Sequence, residues 1–460
     1  MKTLVDPHNA LSQGLAGLRS RFKVPDGFPP EVRAAAQAAA QRPLSEHVDR
    51  TDRPFVTLDP AASTDLDQAF TIERSGDDLL LQYAIADVSW FVRDGDLLDQ
   101  EAWKRGATLY LPDGKASLYP RELSEGAASL LPTGPRPAVV FAVRVAPDGE
   151  AMLDGVERAV IRSVAKLAYD KVTPAELPDG FAELAERVRG AEARRGASRV
   201  DPPEQEVASV DGRLQLRFRP RTPAEDQNAA LSLATNMAVA QLLQAHQTGL
   251  FRVMPEPDER AVKRLRQTAK AFGLAWPQMA SLAQYELTLD PDDPKAAAFM
   301  LAIRRASTAA TYVPYSEGAP PWHAAMAATY AHATAPLRRL ADRYVVDTAL
   351  AIANGRPPLA AAVEAFAKLP KVMARADAQA GQIDRAVIDL AESVMLHGRE
   401  GESFRAVVTD IDERGARMQL CELPVVARIT AHKVEVGDAL QVRLAAANPD
   451  APPAVFERVA

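Results

Sequence analysis

Cysteine is almost absent from this chain, because Cys421 is the single cysteine among 460 residues. One thiol excludes an intramolecular disulfide and a zinc site built from several cysteines. A sequence so poor in cysteine fits a reducing compartment. We therefore expect a cytoplasmic protein.

Long apolar runs are also lacking. The sequence has no stretch of about 18 consecutive apolar residues, so an ordinary membrane-spanning helix is excluded. Its start, MKTLVDPHNALSQG, lacks an apolar segment as long as those of signal peptides. From these two absences we expect neither export nor a membrane partner.

An excess of positive charge is missing as well. The formal net charge is -7, which argues against a protein that binds nucleic acid over its whole surface. A buried channel of locally basic character is still compatible with this charge. The length allows two to four domains, and a hydrophobic fraction of 47% is enough for at least one large core.

The chain does contain a cluster of three aspartates, Asp59, Asp65 and Asp67, within nine residues. Residues 55 to 58 predict a short buried strand that Pro60 cannot continue, so Asp59 would lie at a strand end. Asp65 and Asp67 are two positions apart, and in an extended backbone both side chains point to the same face. Three convergent carboxylates repel one another unless a cation neutralises them, and such oxygen ligands suit Mg²⁺ or Mn²⁺.

The same stretch has other interpretations. An acidic loop is often simply solvated surface, and this alternative stays open on the aspartates alone. An EF-hand calcium loop is excluded because its sixth position requires glycine and is Phe70 here. An aspartyl phosphatase is excluded because Ala69 stands where that motif requires Thr or Val.

The periodicity of the chain predicts a mixture of helices and strands around this stretch. Residues 7 to 42 predict two short helices around a proline-rich break, either half of a helix-turn-helix or an arm that packs on the body. A lone buried Asp87 is usually a satisfied structural group or a holder of a metal ligand. Strands are predicted at 78–92 (two segments running through Asp87), 136–145, 157–164 and 214–219, and helices at 167–199, at 222–247 and over most of 259–397.

After about residue 400 the pattern changes to five short strands within about 60 residues. Strands of this number and length fit a small OB-type barrel, a fold that often binds single-stranded nucleic acid. We expect a helical N-terminal module at residues 1–50, an α/β (α+β) catalytic domain at 51–398 and an all-β OB-type barrel at 399–460.

Several longer motifs follow one another along residues 53 to 391. They are TLDPAASTDLDQAF at 57–70, AIADVSWFV at 84–92, YLP and PRELS between 110 and 124, ATNMAVA at 234–240 and YAHATAPLRRLAD at 330–342. In content and order they resemble the RNase II family of hydrolytic 3′ to 5′ exoribonucleases. The resemblance implies the RNB catalytic fold with a C-terminal OB domain. The sequence departs from the family at its N-terminal side, where a helical module is predicted in place of the usual cold-shock barrels.

The resemblance also implies a metal site. Asp59, Asp65 and Asp67 match three of the four aspartates with which the family holds Mg²⁺ at the scissile phosphate, in a two-metal style of hydrolysis. The fourth position is Gln68, whose amide can accept a hydrogen bond or make a weak metal contact but brings no negative charge. Asp67 is expected to be the carboxylate most sensitive to substitution.

RNA-binding residues follow from the same resemblance. Tyr110 and Phe251 resemble an aromatic clamp on the bases, where stacking contributes on the order of 1 to 3 kcal/mol per base. For each ring, the alternative is an ordinary core aromatic. Arg338 and Arg339 match a basic pair whose first member contacts the phosphate being cut, although Ala335 replaces the serine that precedes this pair in the family.

A last catalytic candidate lies near the end of the catalytic domain. The segment DRAVIDL at 384–390 is similar to the family pattern E-R-x-V-x-D-W, in which Asp384 stands in for a glutamate that is one methylene longer.

We therefore expect a processive, sequence-nonspecific exoribonuclease that is monomeric and uses Mg²⁺, with Mn²⁺ as an alternative. It would draw single-stranded RNA into a channel with the 3′ end first and release 5′-mononucleotides, with RNA preferred over DNA through the 2′-hydroxyl. An RNA-binding protein with a degenerate nuclease site is the alternative, motivated by Gln68 and Ala335. A third option is a hydrolase of DNA or small phosphoesters.

Overall fold

The computed structural model describes residues 4–6, 10–197, 204–210, 213–219, 221–290, 293–412, 415–430 and 434–459. The N-terminal region contains β1 (Leu4–Val5), α1 (Ala10–Arg21) and α2 (Pro30–Ala40). The beginning of the predicted helical region, at residues 7–9, lies outside the described residues.

The two N-terminal helices pack on different parts of the body. The apolar face of α1, formed by Leu11, Leu15 and Leu18, belongs to a cluster shared with the C-terminal barrel. The apolar residues of α2 join the core of the central sheet instead. This packing agrees with the interpretation of the two helices as an arm on the body. A role as half of a helix-turn-helix stays a prediction.

A seven-stranded mixed sheet forms the centre of the molecule, in the order β10-β3-β4-β5-β8-β9-β2. Its two outermost pairings, β10 with β3 and β2 with β9, are parallel, and the others are antiparallel. The strands β5 and β8 are almost continuous apolar runs because both of their faces are covered. The strands are β2 (Val48–Asp49), β3 (Phe55–Asp59), β4 (Gln68–Ser75), β5 (Asp78–Ala86), β8 (Arg136–Val145), β9 (Ala151–Ile161) and β10 (Ser163–Ala168).

Asp87 ends a strand rather than lying within one, so the prediction of two strand segments through this residue was wrong. The chain turns there into a short helix, α3 (Val88–Phe91), and Asp87 caps it by accepting a hydrogen bond from the Trp90 amide at 3.2 Å. The buried carboxylate also accepts from His47 Nε2 at 3.0 Å and from Arg158 Nε at 2.8 Å. It is a satisfied structural group, as one of the two interpretations of a lone aspartate expected.

The helix predicted from residue 167 begins later than expected. Strand β10 runs to Ala168, and helix α5 (Phe181–Arg195) starts only after a segment with Pro174, Pro178 and Gly180. Proline in a helix interior removes a hydrogen bond and clashes with the preceding turn, so the intervening segment cannot be helical throughout.

The predicted helix at 222–247 is confirmed as α6 (Pro223–Ala245). It begins with a capping box, in which the Glu225 amide donates to the Thr222 hydroxyl and the Thr222 amide donates to the Glu225 carboxylate. The other helices of the body are α4 (Leu97–Arg105), α7 (Glu259–Ala271), α8 (Leu282–Glu286), α9 (Pro294–Ala306) and α10 (Leu340–Ala353).

Several small sheets complete the body. Two hairpins and one longer-range pair are β6 (Leu109–Leu111) with β7 (Gly114–Ala116), β15 (Trp322–His323) with β16 (Ala328–Thr329), and β13 (Leu250–Val253) with β14 (Thr311–Pro314). A three-stranded sheet pairs β1 with β12 (Arg213–Arg219), which pairs in turn with β11 (Glu204–Val210). The hairpin β6–β7 reaches toward the turn that carries the aspartates.

The longest helix, α11 (Ala360–Leu396), has 37 residues and belongs to both large hydrophobic clusters. Its first half, including Phe366 and Met373, packs in the core of the central sheet. Its second half, including Ile383 and Leu390, packs with α1 and the C-terminal barrel. Helix α11 therefore contributes both to the core of the central sheet and to the cluster shared with the C-terminal barrel.

The C-terminal region forms a nearly closed five-stranded barrel of OB type, as the sequence predicted. Its strand order is β19-β18-β17-β20-β21, and β19 and β21 lie side by side. Glu392 of α11 ties it to the body, because its Oε1 accepts from the Val426 amide at 3.0 Å. The strands are β17 (Ser403–Asp412), β18 (Gly415–Leu420), β19 (Val426–Ile429), β20 (Ala439–Ala446) and β21 (Val455–Arg458).

None of the helices in the described residues combines the length and the apolar character needed to cross a bilayer.

Candidate active site

The three aspartates lie in the turn that connects β3 to β4. Asp59 is the last residue of β3, and Asp67 directly precedes β4. Between them the backbone is fastened by the fully buried Ser129, which sequence patterns did not identify. Its hydroxyl donates to the Thr64 carbonyl at 2.8 Å and accepts from the Leu66 amide at 2.9 Å. The turn therefore holds a defined shape.

Asp67 is buried, with 5% of its surface exposed. Its Oδ1 accepts from the Leu337 amide at 2.7 Å, and its Oδ2 lies 3.3 Å from Arg338 Nε. Burial raises the pKa of Asp67 to about 7, although Arg338 and the Leu337 amide act in the opposite direction. Keeping this carboxylate ionised is therefore unfavourable unless more positive charge lies close to it.

Asp59 is affected in a similar way. Burial raises its pKa to about 6, with Arg338 opposing the shift and the charge of Asp65 adding to it. Arg338 thus lies within electrostatic reach of both Asp59 and Asp67, which brings together two of the predicted metal ligands and the predicted phosphate contact.

Asp65 is turned toward the hairpin β6–β7. Its Oδ1 lies 2.6 Å from Lys115 Nζ, and its Oδ2 accepts from the Tyr110 hydroxyl at 3.3 Å. Tyr110 and Lys115 are directly opposite each other on the two strands of the hairpin. One short hairpin therefore holds both oxygens of this carboxylate.

The donor chemistry of the turn fits a divalent cation. Asp59 and Asp67 are desolvated carboxylates of the kind that bind Mg²⁺ or Mn²⁺. In the part of the chain that the structure describes, no three His, Cys, Asp or Glu side chains are gathered closely enough to surround one ion. Asp59 and Asp67 are the residues that would hold a cation, while Asp65 is engaged by Lys115.

The side-chain amide of Gln68 is occupied by neighbours in the protein. Its Nε2 donates to the Thr334 carbonyl at 2.6 Å. Its Oε1 accepts from the Tyr83 hydroxyl at 2.6 Å and from Ser232 Oγ at 3.4 Å. Ser232 also lies 2.7 Å from the Tyr83 hydroxyl, so its single hydrogen is shared between these neighbours, and the short bond from Tyr83 is the main contact of this oxygen. A metal contact of Gln68 stays a prediction. Gln68 links β4, β5, α6 and the segment before α10.

The two arginines have different surroundings. The side chain of Arg338 is 46% exposed, so part of its guanidinium remains accessible beyond its contact with Asp67. Arg339 makes a two-point pair with Asp342, with Nε to Oδ1 at 3.0 Å and Nη2 to Oδ2 at 2.6 Å. Asp342 Oδ2 also accepts from the Ala335 amide at 2.9 Å. Arg339 therefore fastens the loop that positions Arg338.

A cavity of about 450 Å³ opens beside these residues. Its lining includes Gln68, Arg338 and Arg339 of the predicted site. Polar residues of α6, which sequence patterns did not assign to the site, also line it. Asn228 donates to the Tyr169 hydroxyl at 2.8 Å, and Asn236 accepts from the Ala333 amide at 2.9 Å. The remaining lining residues are Tyr169, Arg221, Glu225, Asn228, Ala229, Ser232, Leu233, Asn236, Ala325, Met326, Tyr330 and Thr334.

Three other predicted residues are placed apart from this cavity. Tyr110 is 51% exposed and lies beside Asp65, so its side chain is accessible from solvent. Phe251 is completely buried in the core around the central sheet, so its ring has no free face for stacking in this structure. Asp384 lies on the exposed side of α11 and does not line the cavity.

Comparison with known protein families gives two matches. The profile described as RNB domain matches residues 47–351, and the profile described as RNase II-type exonuclease C-terminal S1 domain matches residues 402–459. The first match alone covers more than half of the 460 residues.

Individual proteins agree with this result. Ribonuclease R of Thermotoga maritima is 29% identical over 436 residues, covering 86% of this chain and 60% of that protein. Ribonuclease R 1 of Lactococcus lactis is 26% identical over 434 residues, covering 85% and 52%. The chain thus spans about half to three fifths of the length of these relatives.

The fold is similar to that of Mycoplasma genitalium RNase R, solved in complex with ribose-methylated single-stranded RNA. The TM-score is 0.86 at 19% sequence identity, and the match covers 98% of this chain and 78% of that one. At this identity the likeness establishes the fold: a mixed α/β body, N-terminal helices and a C-terminal barrel.

Proposed function

We propose that this chain, which belongs to the RNB family of RNase II-type ribonucleases, hydrolyses single-stranded RNA from the 3′ end and releases 5′-mononucleotides. Both the family expected from the motifs and the expected fold class are confirmed. The domain limits at residues 50 and 398 and the roles of the individual site residues are proposals.

One observation carries the proposal: Asp67 and Arg338 are in contact where the aspartate turn meets the cavity. A buried carboxylate beside a half-exposed guanidinium supports a cation site next to a phosphate site. Phosphodiester hydrolysis requires both, since negative charge develops on the phosphate oxygens as the bond breaks. The alternative of a degenerate nuclease is not favoured, because the chain matches the RNB family and Asp67 and Arg338 are both present and in contact.

The residues of this chain support distinct parts of the reaction. The Arg338 guanidinium donates to the phosphate that is cut, while its Nε is held by Asp67. The pair between Arg339 and Asp342 keeps the loop before α10 in place, so Arg338 is oriented before the substrate binds. Asp384, on the exposed side of α11, is the acidic residue that the resemblance assigns to the reaction.

RNB-family ribonucleases depend on divalent metal ions in general, and we assign Mg²⁺ here, with Mn²⁺ as a substitute. Asp59 and Asp67 would hold the ion. When bound, such an ion lowers the pKa of a coordinated water and neutralises charge on the phosphate.

Substrate handling follows from the accessible groups. Tyr110 offers a ring on which any base can stack, which suits an enzyme without sequence preference. The C-terminal barrel supplies a second surface for single-stranded RNA, and the 2′-hydroxyl would favour RNA over DNA. We further propose processive action by a cytoplasmic monomer.

The test uses an unstructured oligoribonucleotide labelled at its 5′ end, with Mg²⁺ or Mn²⁺. We expect stepwise shortening by the wild type, none by Asp67→Asn, and equal RNA binding by both proteins. Asp77→Asn is the matched control, because Asp77 lies exposed in the turn at the far end of β4 and should leave the rate unchanged. Binding without shortening by the wild type would refute the enzyme, and faster shortening of a DNA oligomer would refute the substrate.

A further inference from the structure

Lys115 is a lysine with an unusually enclosed position. It lies on β7, and only 16% of its side chain is exposed. Its Nζ is 2.6 Å from Asp65 Oδ1, 3.1 Å from Glu125 Oε1 and 3.3 Å from Thr64 Oγ1. Thr64 Oγ1 accepts a hydrogen bond from the ammonium, and the two carboxylate oxygens lie at ion-pair distance from it. The group is thus surrounded by oxygens in the way that a bound cation would be.

Two of these partners, Asp65 and Glu125, are themselves carboxylates with little exposure, at 9% and 19% of their side chains. Withdrawing a charge from water is costly unless it is paired and hydrogen-bonded, and the two carboxylates compensate the lysine. Glu125 belongs to a different part of the chain, the segment Leu123–Ala127. The position of the positive charge is therefore fixed by carboxylates from two separate segments.

The ammonium also determines what Asp65 can do. With Oδ1 on Lys115 and Oδ2 facing Tyr110, both oxygens of Asp65 have partners on the hairpin β6–β7, although its charge still acts on Asp59 and Asp67. This orientation agrees with the finding that, among the described residues, no three potential ligands are gathered around one point. Asp59 and Asp67 are left as a two-carboxylate site.

The net charge of the site also favours a single metal ion. A two-metal site places two divalent cations about 3.5 to 4 Å apart and needs a correspondingly large negative charge. Asp59, Asp65 and Asp67 supply three negative charges, and Glu125 beside Lys115 supplies a fourth. Arg338 and Lys115 add two positive charges within contact distance of them, and Gln68 adds none.

The geometry points to Lys115 as a built-in replacement for the second metal ion: its ammonium neutralises Asp65, so that the site takes one divalent cation, held by Asp59 and Asp67. This inference rests on the proposed metal-dependent function and specifies its stoichiometry. Lys115 is a positioning residue, since it acts through Asp65.

Metal counting tests the inference without reference to activity. Mn²⁺ is titrated into the wild-type protein and followed by native mass spectrometry and by electron paramagnetic resonance, with and without adenosine 5′-monophosphate as a source of phosphate oxygens. We expect one Mn²⁺ per wild-type chain and the spectrum of an isolated ion. For Lys115→Met we expect two Mn²⁺ and the spectrum of a spin-coupled pair.

Lys166→Met is the matched control, because it removes the same charge near Asp59 without touching Asp65. It should still bind one ion. A coupled pair in the wild type overturns the inference, and this result needs no variant to fold. A single Mn²⁺ in a folded Lys115→Met protein, or no bound Mn²⁺ in either protein, overturns it as well. Failure of the ribonuclease proposal would appear separately, as RNA that is not shortened.

Discussion

Replacing Gln68 by aspartate distinguishes a structural amide from a vacant metal position. Aspartate at this position would restore the fourth carboxylate of the family pattern. In the structure, however, Gln68 donates to Thr334 and accepts from Tyr83 and Ser232. A shorter carboxylate has no N–H for the Thr334 carbonyl and does not reach the same partners. We expect Gln68→Asp to be less stable and less active than the wild type.

The size of the effect follows from these contacts. Each lost hydrogen bond costs roughly 1 kcal/mol, and a buried group left without its partner costs about 1 to 3 kcal/mol more. A new carboxylate close to Asp67 adds repulsion in a site where burial already raises the pKa of Asp67 to about 7. The sum is a destabilisation on the order of 3 to 5 kcal/mol, which is large for one substitution.

Thermal unfolding followed by circular dichroism, together with the initial rate of RNA shortening, measures both consequences. Gln68→Glu is the matched control: it keeps the length and the acceptor for Tyr83 but loses the donor to Thr334, so its melting temperature should fall between the other two. A Gln68→Asp protein that melts like the wild type and shortens RNA faster would refute the structural role and support a vacant metal position.

Three further predictions concern single side chains. Tyr110→Ala should weaken binding of single-stranded RNA by about tenfold, the loss of one stacked base, without changing the melting temperature, as fluorescence anisotropy can measure. Phe251→Ala should instead lower stability by about 3 to 5 kcal/mol, the cost of truncating a core aromatic, because its ring is fully buried; weaker RNA binding at unchanged stability would contradict this. Burial raises the pKa of Glu392 from 4.5 to about 8, so the contribution of this group to stability is fully present below pH 4.5 and is lost as the pH rises from there through about 8. Glu392→Gln, which cannot ionise, should therefore melt like the wild type at pH 4.5 and at a higher temperature at pH 9; equal melting at both values would argue against a neutral buried acid.

Local patterns were sufficient for much of the fold. The barrel strands and α6 follow from alternation, helical periodicity and the Thr222 capping box, all of which depend on residues close in sequence. The turn at Asp87 was misjudged because the apolar residues on both sides of it outweighed its tendency to cap a helix. A helix of four residues leaves too short a periodic pattern to be recognised.

The site could be predicted only in part. The positions of Asp59 and Asp67 followed from the end of one strand and the beginning of the next. By contrast, the partners of Gln68 lie as far as 266 residues away along the chain, so the sequence offered no local sign that its amide was occupied. The contact between Lys115 and Asp65 depends on how the hairpin β6–β7 folds over the turn, which is a property of tertiary structure.

Helix α11 determines how far the two cores of the molecule can move relative to each other. A helix of 37 residues is on the order of 55 Å long, at about 1.5 Å per residue, and each end is embedded in a different hydrophobic cluster. Any change in the angle between barrel and body must bend this helix. Pro370 lies within it and cannot donate a backbone hydrogen bond, so bending would cost least near that residue. Helix α11 is thus a stiff connection that sets the distance between the C-terminal barrel and the body that carries the aspartate turn.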